Sequence, residues 1–375
     1  MSVGTAKDGA REGYLLCVAG EASGDALLAD VLTQLHREDP SLSFVGVGGP
    51  RSVNAGLQSI IDPVTLAAHG VSEAIGTIPA FLRALKALKM LIPGSRALLL
   101  VDFPELNGRL LRAAKRQRRP VAWLAPPQAW AWRSWRWRLV ARADWVGCLF
   151  PFSASWYATH GVNVQEVGHP LFARPPLSAP ERDGVALFPG SRQSVVRRHL
   201  PLLLEAAAQL QERDPGRLIS LAASPWLSRR WLEAYVQMKL PSLRICESAE
   251  EALACSSVAV CVLGTATLEI ALSGRDLITV GTLSPLSAFF ARRLLTPPLS
   301  LPNLLLGEER VPELLLEACT PERIVDAVDG MKAPALEERA QLPLNLAQEL
   351  RARGEIWRPE RVAEGVQELL ARAPL

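Results

Sequence analysis

Apolar runs of strand length alternate with segments of helical period along the whole chain. In the first half the runs are Tyr14–Ala19, Ser43–Gly48, Ala97–Val101, Val121–Leu124, Trp145–Phe150 and Val164–Val167, with helical patterns such as Ala26–Arg37 and Ile78–Leu91 between them. The runs are continuously apolar rather than alternating, as expected of strands buried on both faces of a parallel sheet that helices wrap. The pattern predicts an α/β fold. After a proline-rich stretch without period, it restarts with Val185–Phe188, a helix from about Val195 to Arg213, and strands Leu218–Ala222, Leu243–Cys246, Val258–Val262 and Leu277–Val280. Two Rossmann-like domains facing a cleft are therefore expected. The first spans 1–170, a Pro-rich linker 171–184, the second 185–345, and a helical tail with apolar Val362, Val366, Leu369 and Leu370 spans 346–375.

Composition agrees with that reading. The chain has 375 residues, 49% hydrophobic and 21% charged, enough for a core and too apolar for disorder. The polar start MSVGTAKDGAREG does not read as a signal peptide. The longest uncharged stretch, Trp145 to Gln165, holds Pro151, His160, Gly161 and Asn163, too many breakers for a spanning helix. Six cysteines without a CxxC pair predict reduced, buried thiols and a cytoplasmic protein.

Net charge is +3, but its distribution is uneven. Residues 74–143 hold fourteen Lys or Arg against Asp102 and Glu105, a net +12, which leaves −9 for the rest. An anionic partner is expected there. Residues 106–143 also carry Trp123, Trp130, Trp132, Trp135 and Trp137. Basic plus aromatic character suits nucleic acid or a membrane surface. The basic amphipathic segment FLRALKALKML favours an anionic membrane, with Phe81, Leu85, Lys86, Lys89, Trp135 and Trp137 at the surface and no nucleic acid.

Four motifs can carry chemistry. Gly20-Glu21-Ala22-Ser23-Gly24-Asp25 follows the first strand and opens a helix, where amide N–H groups suit an anion, although a plain strand-to-helix turn reads equally well. Pro189-Gly190-Ser191-Arg192 occupies the corresponding place in the second domain and adds a hydroxyl and a guanidinium, the stronger phosphate signal. Gly264-Thr265 offers another helix start, with Glu269 placed to accept ribose hydroxyls or to complement the helix dipole. Asp102 ends a buried strand, where doubly wound folds keep working residues, and is a candidate general base or a loop cap. The histidines are scattered and no DxD occurs, so neither a metal site nor a cofactor is expected.

Taken in order, VAGEASGD, FVGVGGPR, VDFPELN, WLAPPQAWAWR, VGHPL, LFPGSR, GTATLE and SLPNLLLGE resemble the bacterial lipid A disaccharide synthases, inverting glycosyltransferases of the B-type fold. The resemblance runs from about Leu15 to about Glu317. It implies a UDP-linked diacylglucosamine donor, a diacylglucosamine 1-phosphate acceptor, release of UDP, and peripheral association with the inner membrane. It further implies Asp102 as the candidate base or an essential acidic group near the acceptor, Arg192 on phosphate, the GTAT turn and Glu269 on ribose and pyrophosphate, and Asn303 lining the donor site. The chain departs from the family pattern at His69, Ala173, Val195, Leu263 and Gly281-Thr282-Leu283, which bears on nucleotide or acyl-chain preference. A UDP-sugar epimerase and a transferase with a soluble acceptor are the alternatives, and the sequence leaves a homodimer open.

Overall fold

A computed structural model of the chain describes residues 13–61, 74–131, 133–178, 183–224, 227–282, 298–331 and 336–372. The chain divides into two compact units, one formed by its beginning up to Gly168 together with the segment from Trp357 onward, the other by His169–Ile356.

The first unit is built on a seven-stranded parallel sheet. Its strands are β1 (Tyr14–Ala19), β2 (Phe44–Val47), β3 (Leu57–Ser59), β4 (Ser95–Val101), β5 (Val121–Leu124), β6 (Trp145–Cys148) and β7 (Gln165–Glu166), in the order β3-β2-β1-β4-β5-β6-β7. The pleat sends alternate residues to opposite faces. Leu16, Val18, Leu98 and Leu100 enter one core together with Trp123, whereas Leu15, Cys17, Ala97, Leu99 and Val101 enter the other. Both faces are apolar because both are covered, which explains the unbroken hydrophobic runs.

One cover comes from the far end of the chain. The last helix, Pro359–Arg372, buries Val362, Val366, Leu369 and Leu370 against the first unit's sheet. Each such side chain contributes roughly 1.5–3 kcal/mol when fully buried. Arg361 Nη1 donates to Glu166 O at 2.9 Å and Trp357 Nε1 to Asp30 Oδ2 at 2.9 Å, fixing the helix further. The helical segment expected at 346–375 is thus shared: the preceding helix, Leu336–Arg353, belongs to the second unit.

The second unit holds a six-stranded parallel sheet of β8 (Gly184–Phe188), β9 (Ile219–Ala222), β10 (Arg244–Cys246), β11 (Ser256–Val262), β12 (Asp276–Gly281) and β13 (Glu313–Leu315), ordered β10-β9-β8-β11-β12-β13. Strand order reverses between β1 and β4 in the first unit and between β8 and β11 in the second. Beyond the carboxyl ends of strands flanking such a switch point, helices run to opposite faces and leave room for a ligand. The four motifs singled out in the sequence follow β1, β4, β8 and β11.

Candidate functional site

At the first switch point the backbone is strained. Asp102 and Phe103 follow β4 with φ of 47° and 43°, consecutive left-handed non-glycine residues. Such conformations cost of order 1–3 kcal/mol each and persist only where the surroundings impose them. Here Asp102 N donates to Leu124 O at 3.0 Å, and the buried Asn107 donates through Nδ2 to Val101 O at 3.0 Å and Asp102 O at 2.7 Å. The half-buried Asp102 is therefore held at a strand end by a neighbouring strand's carbonyl and the Asn107 side chain. Asn107 was not singled out by sequence reasoning, and its only signal was its place in VDFPELN.

The loop after β1 lies against this turn. A Cβ on Gly20 would meet the Phe103 ring at 2.6 Å, so only glycine allows the approach. Glu21 is the N-cap of the helix Ala22–Glu38, Ser23 is exposed, and Gly24 packs beside Val101. Asp25 has a different role from the expected ligand contact. It is buried and accepts hydrogen bonds from Gly49 N at 2.7 Å, Arg51 N at 3.1 Å, Ser52 N at 3.1 Å and Ser52 Oγ at 2.5 Å. Its carboxylate is consumed in holding the turn after β2.

At the second switch point, Gly190 has φ of 102°, a backbone that disfavours any side chain, and Ser191 and Arg192 are exposed. Arg192 is the N-cap of the long helix Gln193–Arg213, and no side chain caps that helix. Gly264 likewise precedes the helix Thr265–Leu272 without a side-chain cap, and Thr265 is exposed. Two helix starts with amides turned outward, beside an exposed hydroxyl and guanidinium, form a site suited to a phosphorylated ligand. Glu269 lies one turn further, mostly buried, with Oε1 bonded to Arg174 Nη1 at 2.6 Å.

Two neutral histidines brace this region. His199 on the helix Gln193–Arg213 contacts Val195 O through Nδ1 at 2.8 Å and accepts from Thr282 N through Nε2 at 3.0 Å, which assigns the proton to Nδ1. Burial pushes its pKa down. Burial, with Arg174 adding to it, pushes His169 down to about 4, and its Nδ1 accepts from Leu171 N. Both groups resist protonation in the folded state, so the stability they lend is complete above the ordinary value near 6.5 and is lost as pH falls below it, for His169 down to about 4. Unfolding free energy is expected to drop by about 3 kcal/mol over that window on account of His169, given 1.36 kcal/mol per unit of pKa shift. Denaturant titrations at several pH values check this: His169→Gln flattens the acid side of the profile, and an unchanged acid slope contradicts it.

Other expectations are revised. Asn303 is wholly buried; Oδ1 accepts from Arg310 N at 2.9 Å and Val311 N at 2.8 Å, while Nδ2 donates to Val311 O and Glu313 Oε1, both at 2.8 Å. Every hydrogen-bonding position of its amide is filled, so it orders its own loop rather than lining a donor site. Phe81 and Leu85 are core residues of the helix Ala74–Leu91, not surface ones, because the 81/85/88/92 stripe faces the sheet. The exposed face carries Leu82 and Met90 with Arg83, Lys86 and Lys89. Trp135 is exposed, and the half-buried Trp137 packs against Arg138 and His160. Ala173 is exposed beside Arg174, Val195 packs over Gly190, and Leu263 packs over Gly281. His69 and Leu283 lie outside the described residues.

Solved structures share this architecture. The calicheamicin glycosyltransferase CalG4 aligns over 96% of this chain and 99% of its own with a TM-score of 0.55 at 15% identity. A UDP-GlcNAc 2-epimerase from Neisseria meningitidis, bound to UDP-GlcNAc, aligns over 95% and 99% with a TM-score of 0.59 at 10% identity. At such identities the likeness defines the fold alone, that of the B-type glycosyltransferases. Sequence comparison is more specific. Residues 15–341 match the family model for lipid-A-disaccharide synthetase. The chain is 36% identical to the lipid-A-disaccharide synthase of Anaeromyxobacter dehalogenans strain 2CP-C over 94% of its length and 96% of the relative's. The synthase of Myxococcus xanthus is 35% identical over 95% and 97%. The chain belongs to the lipid-A-disaccharide synthetase family.

Proposed function

We propose that the protein joins UDP-2,3-diacylglucosamine to 2,3-diacylglucosamine 1-phosphate, forming the disaccharide 1-phosphate and releasing UDP. Family membership across both units carries this reading. In it the first unit serves the acceptor and the second the donor. Asp102 removes the proton from an acceptor hydroxyl, whose oxygen attacks the anomeric carbon of the donor. The bond from that carbon to the diphosphate breaks, its electron pair leaves with UDP, and the configuration inverts. Gly20, Glu21, Ser23 and Gly24 border the acceptor side. Gly190, Ser191, Arg192, Gly264 and Thr265 offset the charge on the leaving diphosphate, and Glu269 accepts from the ribose. Purified protein given donor and acceptor in detergent micelles is expected to release UDP only when both are present. UDP-sugar isomerisation without acceptor points instead to the epimerase chemistry that shares the fold.

Acylated substrates place the reaction at the cytoplasmic face of the inner membrane. No helix among the described residues is long and apolar enough to cross a membrane. The exposed face of the helix Ala74–Leu91 suits peripheral attachment, since Leu82 and Met90 enter the headgroup boundary and Arg83, Lys86 and Lys89 meet anionic lipid. Each basic residue near such a surface is worth about 1 kcal/mol. Exchanging Lys86 and Lys89 for Glu is therefore expected to weaken sedimentation with phosphatidylglycerol vesicles at least about thirtyfold. Unchanged binding removes this helix from the membrane face.

A further inference from the structure

The Pro-rich linker expected at 171–184 is fastened to the second unit over its described residues 171–178. Leu177 N donates to Ser273 O at 3.1 Å, Arg275 Nη2 to Ser178 O at 2.5 Å, and Arg351 Nη2 to both Arg174 O at 2.8 Å and Leu272 O at 2.7 Å. The backbone of Arg174 is thus tied to the end of the helix that carries Glu269, independently of its own side chain. That side chain reaches Glu269 Oε1 at 2.6 Å and stands 3.6 Å from Glu250 Oε1. Among the described residues Glu269 Oε2 takes no hydrogen bond. A pocket of about 50 Å³ opens beside the pair, its polar wall made by Arg174, Glu250, Glu269 and Arg351 and the rest mostly apolar, with Leu253 and Leu272 among the lining, room for a hydroxyl or two rather than a ring.

We propose that Arg174 is a positioning residue for the donor: it anchors one oxygen of Glu269 as a carboxylate so that the other is presented to the hydroxyl groups of the nucleotide's ribose. The inference rests on the reading of Glu269 as the ribose acceptor. A guanidinium fixes a carboxylate in orientation as well as in charge, because its N–H groups form a rigid fork. Charge is at stake because burial pushes the Glu269 carboxyl up; Glu250 pushes the same way, and Arg174 pulls against both. The remaining polar neighbours do not replace Arg174. The Arg351 guanidinium is spent on carbonyls, and the buried Cys261 of β11 holds its thiol proton far above the usual range. Without Arg174 the carboxyl takes up a proton at higher pH, and a protonated Glu269 has lost acceptor capacity toward ribose.

Calorimetric titration of the full-length protein with UDP across pH tests this. Arg174→Gln is expected to weaken UDP binding about tenfold near pH 5.5 and less than about threefold near pH 8.5, a shift of the acid limb by about one unit or more. Arg174→Lys restores most of the acid limb by keeping the cation, and Glu250→Gln moves it the opposite way, to lower pH. A loss in Arg174→Gln that is equal at all pH values means a merely structural role and overturns the proposal, as does wild-type affinity at low pH. Glu250→Gln keeps Arg174 and removes the second carboxylate that competes for its Nη1, so its acid limb remains decisive should Arg174→Gln fold poorly; an unmoved limb there overturns the proposal. Glu269→Gln separates the two levels: unchanged UDP affinity removes the ribose reading itself, whereas weakened affinity beside an inert Arg174→Gln removes only the role of Arg174.

Discussion

Asp102→Asn is expected to lower kcat by about 10²–10⁴-fold while leaving the fold and both KM values close to those of the parent, the range associated with loss of a general base. Asn is nearly isosteric with Asp and tolerates the left-handed backbone at this position. Asn107 Nδ2 and Leu124 O hold the main chain of the turn whichever of the two side chains is present. Activity and thermal unfolding measured on the same preparation decide the matter. Near-parental turnover means that the base is elsewhere, and a large fall in thermal stability means that the residue serves the fold.

Asp25→Ala is expected to act in the opposite manner, costing about 3–5 kcal/mol of stability, since several buried donors at about 1–3 kcal/mol each lose their acceptor. The substitution strands the amides of Gly49, Arg51 and Ser52, which the carboxylate now satisfies in a site with almost no access to water. Urea denaturation should show an earlier midpoint for the first unit, whereas the protein that remains folded keeps its KM for the acceptor. Full stability combined with a raised KM would return Asp25 to the substrate site.

These two acids show what the sequence disclosed and what it concealed. Both follow buried strands, and residue type with local spacing treats them alike. Their separation is decided at long range, by the turn after β2, which folds its amides onto Asp25 from 24 to 27 positions away. Asn303 was misread for the same reason, since its partners Arg310, Val311 and Glu313 lie seven to ten residues onward. The inner strands were legible because both faces of each sheet are buried: Tyr14–Ala19 and Val121–Leu124 have the predicted bounds. Two of the four edge strands, Leu57–Ser59 and Glu313–Leu315, were missed. The inward stripe 81/85/88/92 could have been separated from Leu82 and Met90 by helical phase alone. No comparable signal marked Arg174, whose importance arises from where the segment 169–178 is pinned.

The family placement and the strained turn at Asp102 meet in one claim, that a single displacement links two acylated sugars at the expense of a UDP bond. The most direct test is mass spectrometry of the lipid products formed from UDP-diacylglucosamine and diacylglucosamine 1-phosphate. The account predicts one new lipid that contains both sugars, all four acyl chains and a single phosphate, formed in step with UDP and at a strongly reduced rate with Asp102→Asn. Donor consumed to free diacylglucosamine or to an isomeric UDP-sugar, with no disaccharide at any detergent concentration, would contradict it.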